Sequence, residues 1–600
     1  MQQHDQALPT GGLAGGSIAG PVEPARAAVD DARPGGHNLT HRTLLGVFLS
    51  FALFAAWRAP VPGVNEPHYL CKAKHLFAPE WCGRDLFLSS ADVHLVFLAF
   101  FGGVTRVLTL EEAAWLGRVL AWLALAWGWM RLAQELLSSA VAAICSAWFF
   151  LALVSLGSLS GEWLLGGVEA KVFAYGCLFL ALAHACGGRW NRAGIWSGVS
   201  ISLHPVVGAW GSIALALAWV STQVWPIRHR SVALPCGGAA PWRPASAREA
   251  ASAAALAVLF ALPGLIPAAA VLAAAASPEV SRRAAEIQVF DRLSHHLDPL
   301  RFRPSAWLHY LLLLASWLGL MRLAAKLGAA GEAIDRNYFF ARFVLVTALI
   351  AGVGVVVGGL IRAPALMKFY PFRLFDVLLP AAAALTLTRV WSDVQRRLRG
   401  AARSPRNALL RGAAGCAPFL ALAAAFAAPV TAANPGGLTA AQRDDWRNAC
   451  NFVKQRLPYD SLILTPHRGN FGFKWYAERA EYVAYKDCPQ DAASLVEWQR
   501  RLDRVRAWRT AHYATDGFTP EAVAELRRQM GIDFIVAWTG DPYRYAPVFR
   551  NASFAVYASF APPARERSSR RRLKNAASAA RSAAPGTANS VSAADRPHDD

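Results

Sequence analysis

Two groups of residues have the types and spacing to handle a hydroxyl and a phosphate. The first is the run Val64-Asn65-Glu66-Pro67-His68-Tyr69, in a polar loop rich in titratable groups. Asn65 reads as a helix N-cap, with Glu66 and Pro67 as the first helical residues. A carboxylate there is favoured by the helix dipole. It could accept a proton from an acceptor hydroxyl or help hold a divalent metal such as Mg or Mn. The bland alternative is a simple first-turn acid. Asp85, in Gly83-Arg84-Asp85, is the second acidic candidate, with a salt bridge or turn cap as its other reading. His68 stands beside Glu66 as a candidate substrate contact. The second group is Arg362, Lys368, Tyr370 and Arg373. These cations could hold a lipid phosphate or pyrophosphate, or merely anchor to head groups.

The elements that position these groups are membrane spans. Apolar residues make up 54% of the 600-residue chain, charged residues 17%, and mean hydropathy is +0.27. That balance fits a polytopic membrane protein. The formal charge of +21 sits in short arginine blocks between apolar runs. The positive-inside rule explains that pattern, and no nucleic-acid signature is present. Apolar runs at 43–60, 93–109, 113–131, 138–157, 168–186, 194–222, 249–275, 305–324, 338–361, 371–388 and 412–432 predict about eleven transmembrane helices. The first is read as an uncleaved span. A helix over 66–77 is expected to lie on the membrane surface, with Lys72, Lys74 and His75 toward head groups.

Arginine sets the orientation. The segment 389–411 carries seven arginines against Asp393, and 226–248 carries Arg228, Arg230, Arg243 and Arg248. Both read as cytoplasmic, which puts the first loop 58–92 and the C-terminal domain outside. Two topologies satisfy this. In one, 194–222 is a single span. In the other it turns back at His204-Pro205, the Arg189–Arg192 loop is cytoplasmic, and 93–109 lies along the interface.

The chain divides into a disordered tail 1–41, a transmembrane domain 42–434, an external α/β domain 435–562 and a disordered basic tail 563–600. In the α/β domain, helices are expected over 438–456, 492–506 and 520–530, and strands over 461–465, 481–486, 534–538 and 554–560. The polar loop Thr465–Phe471 follows a strand, a common place for ligand contacts. Of nine cysteines, Cys71 with Cys82 and Cys450 with Cys488 are the disulfide candidates, four free thiols being the alternative; Cys236 sits in a basic loop. Glu162, Glu169 and Lys171 surround a Gly166-Gly167 break, and His204 interrupts a span. Polar groups at such depth are costly. Glu169 and Lys171, two apart, are not expected to pair on a helix. A P-loop, a dinucleotide fingerprint, a Gly-x-Ser-x-Gly elbow and a HExxH helix are absent from the sequence.

The layout resembles the GT-C superfamily of membrane glycosyltransferases: a first span, an external loop with an early acid, many spans, and an external soluble domain. Glu66 in Val64-Asn65-Glu66-Pro67-His68-Tyr69 stands where that family's first-loop acid stands. The resemblance implies transfer of a sugar from a polyprenyl-phosphate-linked donor to an envelope acceptor, in a bacterial inner membrane. It implies Glu66 and Asp85 as catalytic acids and His68, Arg362, Lys368 and Arg373 as substrate contacts. A tandem Asp-Asp or Asp-Glu in the first loop and a Trp-Trp-Asp motif are missing, so metal dependence is left open. Segments Gly167–Tyr175, Ile201–Val207 and Thr465–Glu497 are similar to an uncharacterised family of bacterial multi-span proteins. A carrier of lipid-linked glycans and a non-catalytic envelope scaffold are the alternatives. The oligomeric state is not legible.

Overall fold

The computed structural model describes residues 36–225, 242–274, 277–327, 333–401, 404–430, 436–466, 472–513, 515 and 517–560. Most of both expected tails, Arg228, Arg230, Cys236, Arg403 and residues 467–471 of the polar loop lie outside these. The protein is a mostly helical, multi-pass membrane protein with a small sheet-containing domain at its C-terminal end.

The membrane bundle comprises α1 (Gly36–Arg58), α2 (Glu66–Phe77), α3 (Leu95–Val104), α4 (Leu110–Leu136), α5 (Ala140–Ser155), α6 (Ala170–Cys186), α7 (Trp190–Leu203), α8 (Pro205–Val224), α9 (Ala247–Ala273), α10 (Pro304–Leu327), α11 (Ala333–Val355), α12 (Arg373–Gly400) and α13 (Pro405–Ala427). Seven described helices are long and apolar enough to cross a membrane by themselves: those within α1, α8, α9, α10, α11, α12 and α13. α4 has the length, at 27 residues, but carries Glu111, Glu112, Arg118, Arg131 and Glu135. α5, α6 and α7 are apolar but shorter. Their backbones are satisfied by burial among neighbours. α6 is buried on nearly every side and 83% of the apolar window of α12 is inside, so these two form the middle of the bundle. α9, α10 and α13 turn Leu259, Ile266, Leu308, Leu312, Phe419 and Leu420 outward, as lipid-facing helices do.

The run 194–222 is two helices. The chain reverses at His204-Pro205, where Gly208 packs against the backbone of Ile201. Pro205 suits the first position of the second helix and cannot continue the first. The Arg189–Arg192 turn therefore lies at the end of the bundle where Arg189 and Arg336 both pair with Glu135. α3 stays at the opposite end: it packs beside α2, with His94 near Tyr69 and Gly102 against Ala73. The helices that run from end to end are thus α1 and α4 through α13. This is the arrangement with a broken 194–222 run and a non-crossing 93–109.

The C-terminal domain contains α14 (Ala440–Arg456), β1 (Leu462–Leu464), α15 (Phe473–Ala477), β2 (Ala480–Glu481), α16 (Ala492–Tyr513), α17 (Pro520–Met530), β3 (Phe534–Trp538), β4 (Phe549–Arg550) and β5 (Phe554–Ala558). The sheet order is β2-β1-β3-β5-β4. β2, β1 and β3 are parallel, and β5 returns antiparallel to β3 in the register Val536–Val556. Side chains alternate between two cores, as strand geometry requires. Ile463, Phe534, Val536, Phe554 and Val556 face α14 with Trp446 and Cys450. Leu462, Leu464, Ile535, Ala537 and Tyr557 face the other way. The expected strand over 481–486 is reduced to β2, and its last sheet hydrogen bond runs from the Tyr482 amide to the Ile463 carbonyl.

That second core is shared. Leu70, Cys71, Ala73, Trp81, Cys82, Phe87 and Leu88 of the first loop pack into it beside Trp498 and Leu502 of α16. This corrects the expected role of α2. Lys72 is buried, donating to the Phe87 carbonyl and Ser90, and His75 is bonded to the Trp81 carbonyl. Lys74 reaches Glu478. These cations face protein, not head groups. Cys71, Cys82, Cys450 and Cys488 are free thiols in the structure. Cys450 and Cys488 sit in different cores and so are not placed to pair. Cys71 and Cys82 are buried together in the apolar interior, where thiols serve as packing.

Candidate functional site

A cavity of about 540 Å³ lies where the first loop, the bundle and the C-terminal domain meet. Its polar walls carry Lys171, Arg292, Lys368, Arg373 and Lys486 against the acids Glu162 and Glu169. His68, His94, His204, His295 and His296 also line it, with Val206, Val271, Leu272 and Leu293 as an apolar stretch.

Glu66 is not on its wall. The carboxylate is wholly buried and all its bonds are made inside the protein. Oε1 accepts from Arg118 Nε at 2.7 Å and from the Val168 amide at 2.9 Å. Oε2 accepts from the Gly63 amide at 2.6 Å and Arg118 NH2 at 2.8 Å. Arg118 also donates to the carbonyls of Ala59 and Pro60. No lone pair is free for a proton or metal. With its oxygens so occupied, Glu66 ties the start of the first loop to α4 and to the loop before α6. Gly167 is needed for it: a Cβ there would lie 2.7 Å from the Glu66 carboxyl carbon.

Asp85 is likewise bonded within the protein. It caps the short helix Leu86–Ser89 through the Leu88 amide and accepts from the Glu481 amide at 3.0 Å. With Glu481 and Asp487 it surrounds Lys474. Burial works against the Lys474 ammonium, but the three carboxylates outweigh it and hold its pKa well above the lysine range. Asp487 is held below the carboxylate range by Lys474 and His68 despite its burial. His68 does reach the cavity, and its Nδ1 lies 3.3 Å from Asp487. Burial lowers its pKa, against the opposing pull of Asp487.

The three expected phosphate contacts separate. Arg362 is directed away, onto Asp298 at 2.8 Å and over the Phe290 ring. Lys368 and Arg373 line the cavity. Arg373 lies 3.0 Å from Glu162 and over Tyr370. Lys368 makes no ion pair among the described residues. Glu169 and Lys171 are 3.2 Å apart after all. The pair forms off the helix: Glu169 is the extended N-cap of α6, so the geometry that forbids an i, i+2 helical pair does not apply.

Two further devices were not anticipated. Asp376, inside α12, accepts from the amides of Leu159, Ser160 and Glu162 and from the Ser160 hydroxyl, at 2.6–2.9 Å. Together Asp376 and Glu66 pin the two ends of loop 157–169, which carries Glu162 and Glu169 into the cavity. From the domain side, Arg292 donates to the carbonyls of Tyr485 and Lys486. This clamp presents Lys486 to the cavity, where burial, with Arg292 nearby, lowers its pKa to about 8. The signals lay in the sequence: lone charges in apolar runs at Arg118 and Asp376, and basic residues in the polar stretch 277–303, on the first-loop end.

Among the described residues, no group of three or more His, Cys, Asp or Glu side chains converges as a metal site requires.

A family model for a domain of unknown function, DUF6798, matches residues 444–505. No curated protein matches the chain. Among solved structures, ArnT from Cupriavidus metallidurans in the apo state is 12% identical, with 87% of this chain and 98% of that one covered, at a TM-score of 0.45. The same protein bound to undecaprenyl phosphate is 12% identical, with 88% and 99% covered, at 0.35. The oligosaccharyltransferase of Archaeoglobus fulgidus, crystallised with Zn and sulfate, is 11% identical, with 83% and 68% covered, at 0.35. These neighbours have the GT-C fold.

Proposed function

We propose that this protein transfers a sugar from a polyprenyl-phosphate-linked donor to an acceptor of the bacterial envelope, on the external side of the inner membrane. The observation that carries the reading is the charge of the cavity. Lys171, Arg292, Lys368, Arg373 and Lys486 face only Glu162 and Glu169. Among the described residues, Lys368 and Lys486 have no ion-pair partner. Unpaired cations in a sheltered site are a strong attraction for a phosphate. Val206, Val271, Leu272 and Leu293 line the same space beside them. A ligand with an anionic head and an isoprenoid chain satisfies both halves of that wall.

In this reading Lys368, Arg373 and Lys486 hold the phosphate and stabilise the negative charge that gathers on it as the sugar leaves. The arginine-rich segment 389–411 lies at the other end of α12 from Arg373, so the positive-inside rule favours an external cavity.

Undecaprenyl phosphate, titrated into the purified protein in detergent, tests the reading. Lys368→Ala and Lys486→Ala should each weaken binding roughly tenfold, the usual scale for one charge-assisted contact. Undecaprenol, which lacks the phosphate, should bind far more weakly. Equal affinity for the alcohol, or unchanged affinity in the double variant, overturns the reading.

A further inference from the structure

We propose that Glu162 is the general base of the transfer, taking the proton from the acceptor hydroxyl, an inference that rests on the transferase reading. Glu162 lines the cavity, and its side chain is 5% exposed. Oε2 lies 3.0 Å from Arg373 and 3.9 Å from Lys171. Oε1 has no hydrogen-bond partner. A buried carboxylate oxygen left without a donor bears the full cost of its lost hydration unless a ligand supplies one. The donor that fits is a hydroxyl entering from the cavity.

The other buried carboxylates of the region are spoken for. Glu66, Asp85 and Asp376 each accept several protein hydrogen bonds, and Glu169 is turned onto Lys171. Glu162 has a buried oxygen without a partner and a place on the wall.

Its position is also built. Asp376 accepts from the Leu159, Ser160 and Glu162 amides, and His296 Nδ1 is bonded to the Ser160 carbonyl. The turn that aims Glu162 depends on Gly161. Its φ is +73°, and a Cβ there would lie 2.6 Å from the His296 ring. A base fixed by packing and secondary hydrogen bonds is the arrangement that general-base catalysis needs. Arg373 also links the two halves of the reaction: it touches the base and belongs to the phosphate-binding wall.

The step balances as follows. The acceptor oxygen attacks the anomeric carbon and forms the new C–O bond. The bond from that carbon to the donor phosphate breaks, and its electron pair goes to the phosphate oxygen held by the cations. The hydroxyl proton passes to Glu162 Oε1 and from there to water in the cavity. The groups facing Glu162 are Arg373, Lys171, Glu169 and Asp376. Burial outweighs the two cations and raises its pKa above the usual carboxyl value, which makes it a better base.

The test uses full-length protein, an undecaprenyl-phosphoryl hexose labelled in the sugar, and envelope membranes from cells lacking this chain as acceptor source. Donor cleavage and undecaprenyl phosphate binding are measured on the same preparations. Glu162→Gln should slow cleavage at least 100-fold while binding stays equal or tightens, since Arg373 is released toward phosphate. The acid limb of the rate–pH profile should disappear with it. Glu162→Asp should restore part of the rate. Cleavage within threefold of the parent in Glu162→Gln removes the base assignment and leaves the transferase reading standing. Lost phosphate binding in Glu162→Gln also overturns the assignment, marking Glu162 as a scaffold residue. A parent protein that binds the lipid phosphate but cleaves no donor overturns the transferase reading and the base with it.

Discussion

Two glutamate–arginine pairs stand near the same cavity, and they have opposite fates. Glu66 and Arg118 are completely enclosed. Every oxygen of Glu66 is occupied, and Arg118 spends its remaining donors on backbone carbonyls. Glu162 and Arg373 are almost as buried, yet one oxygen of Glu162, itself buried, is unpartnered, and both residues line the cavity. Burial and pairing therefore do not distinguish a structural acid from a chemical one. Saturation does. The first pair fixes three backbone segments, and the second is left with hydrogen-bonding capacity that only a ligand can use.

That contrast ranks the expected effects of mutation. Arg118→Ala should be the most damaging, because it strands a buried carboxylate. Breaking such a pair from one side costs about 3–5 kcal/mol. Thermal unfolding and monodisperse yield in detergent should fall sharply, and a stable variant would break the comparison. Asp376→Asn comes next. It keeps the shape but turns one acceptor into a donor facing amides, at a cost of about 1–3 kcal/mol. Its signature should be faster hydrogen exchange in 157–163 with the bundle intact.

Changes on the open side should spare the fold and alter ligand binding instead. Lys368→Ala should leave the melting temperature within about one degree, as expected for a partly exposed residue with no ion pair, while weakening undecaprenyl phosphate binding about tenfold. pH should act on the same wall through Lys486. Its folded pKa of about 8 lies below the lysine reference, so the ammonium is present at pH 7 and lost as pH rises. Affinity should fall several-fold between about pH 7 and 9, and Lys486→Arg, charged throughout, should flatten that slope. The smallest effect should come from reductant. With Cys71, Cys82, Cys450 and Cys488 free, dithiothreitol should not shift the melting temperature. A downward shift would show that a bridge had formed.

The two pairs also mark how far the sequence could be read. The spans, α2 and most of the domain's helices and strands were legible, because periodicity and cap residues are local signals. Pro520–Met530 and Phe534–Trp538 match their expected bounds. The break at His204-Pro205 was legible as a choice between two topologies, which the packing of α7 and α8 decides. Lys368, Arg373 and His68 were found because cations and rings at span ends are conspicuous. The partners of Glu66 were not legible, because a position in the sequence gives a residue's address and not what it touches. Arg118 lies 52 residues away and Val168 lies 102 away. Glu162 was noticed for its setting, but its open oxygen is a property of three-dimensional accounting. Lys486 was invisible for the same reason: its place in the wall depends on Arg292, nearly two hundred residues earlier.

The core shared by the first loop and the C-terminal domain has a consequence for biosynthesis. Asp85 meets its Glu481 partner across 396 residues. At ~5–20 residues per second, a ribosome needs about 20–80 s to make the second half after the first. For that interval Leu70, Ala73 and Phe87 have been delivered to the membrane surface but lack the sheet and α16 that cover them. The bilayer interface is the shelter at hand, and the amphipathic sequence of α2, which reads as a surface helix, suits that temporary berth. The cavity wall is completed only when Lys486 and the start of α16 arrive, so a chain truncated before them would reach the membrane with its spans in place and no site.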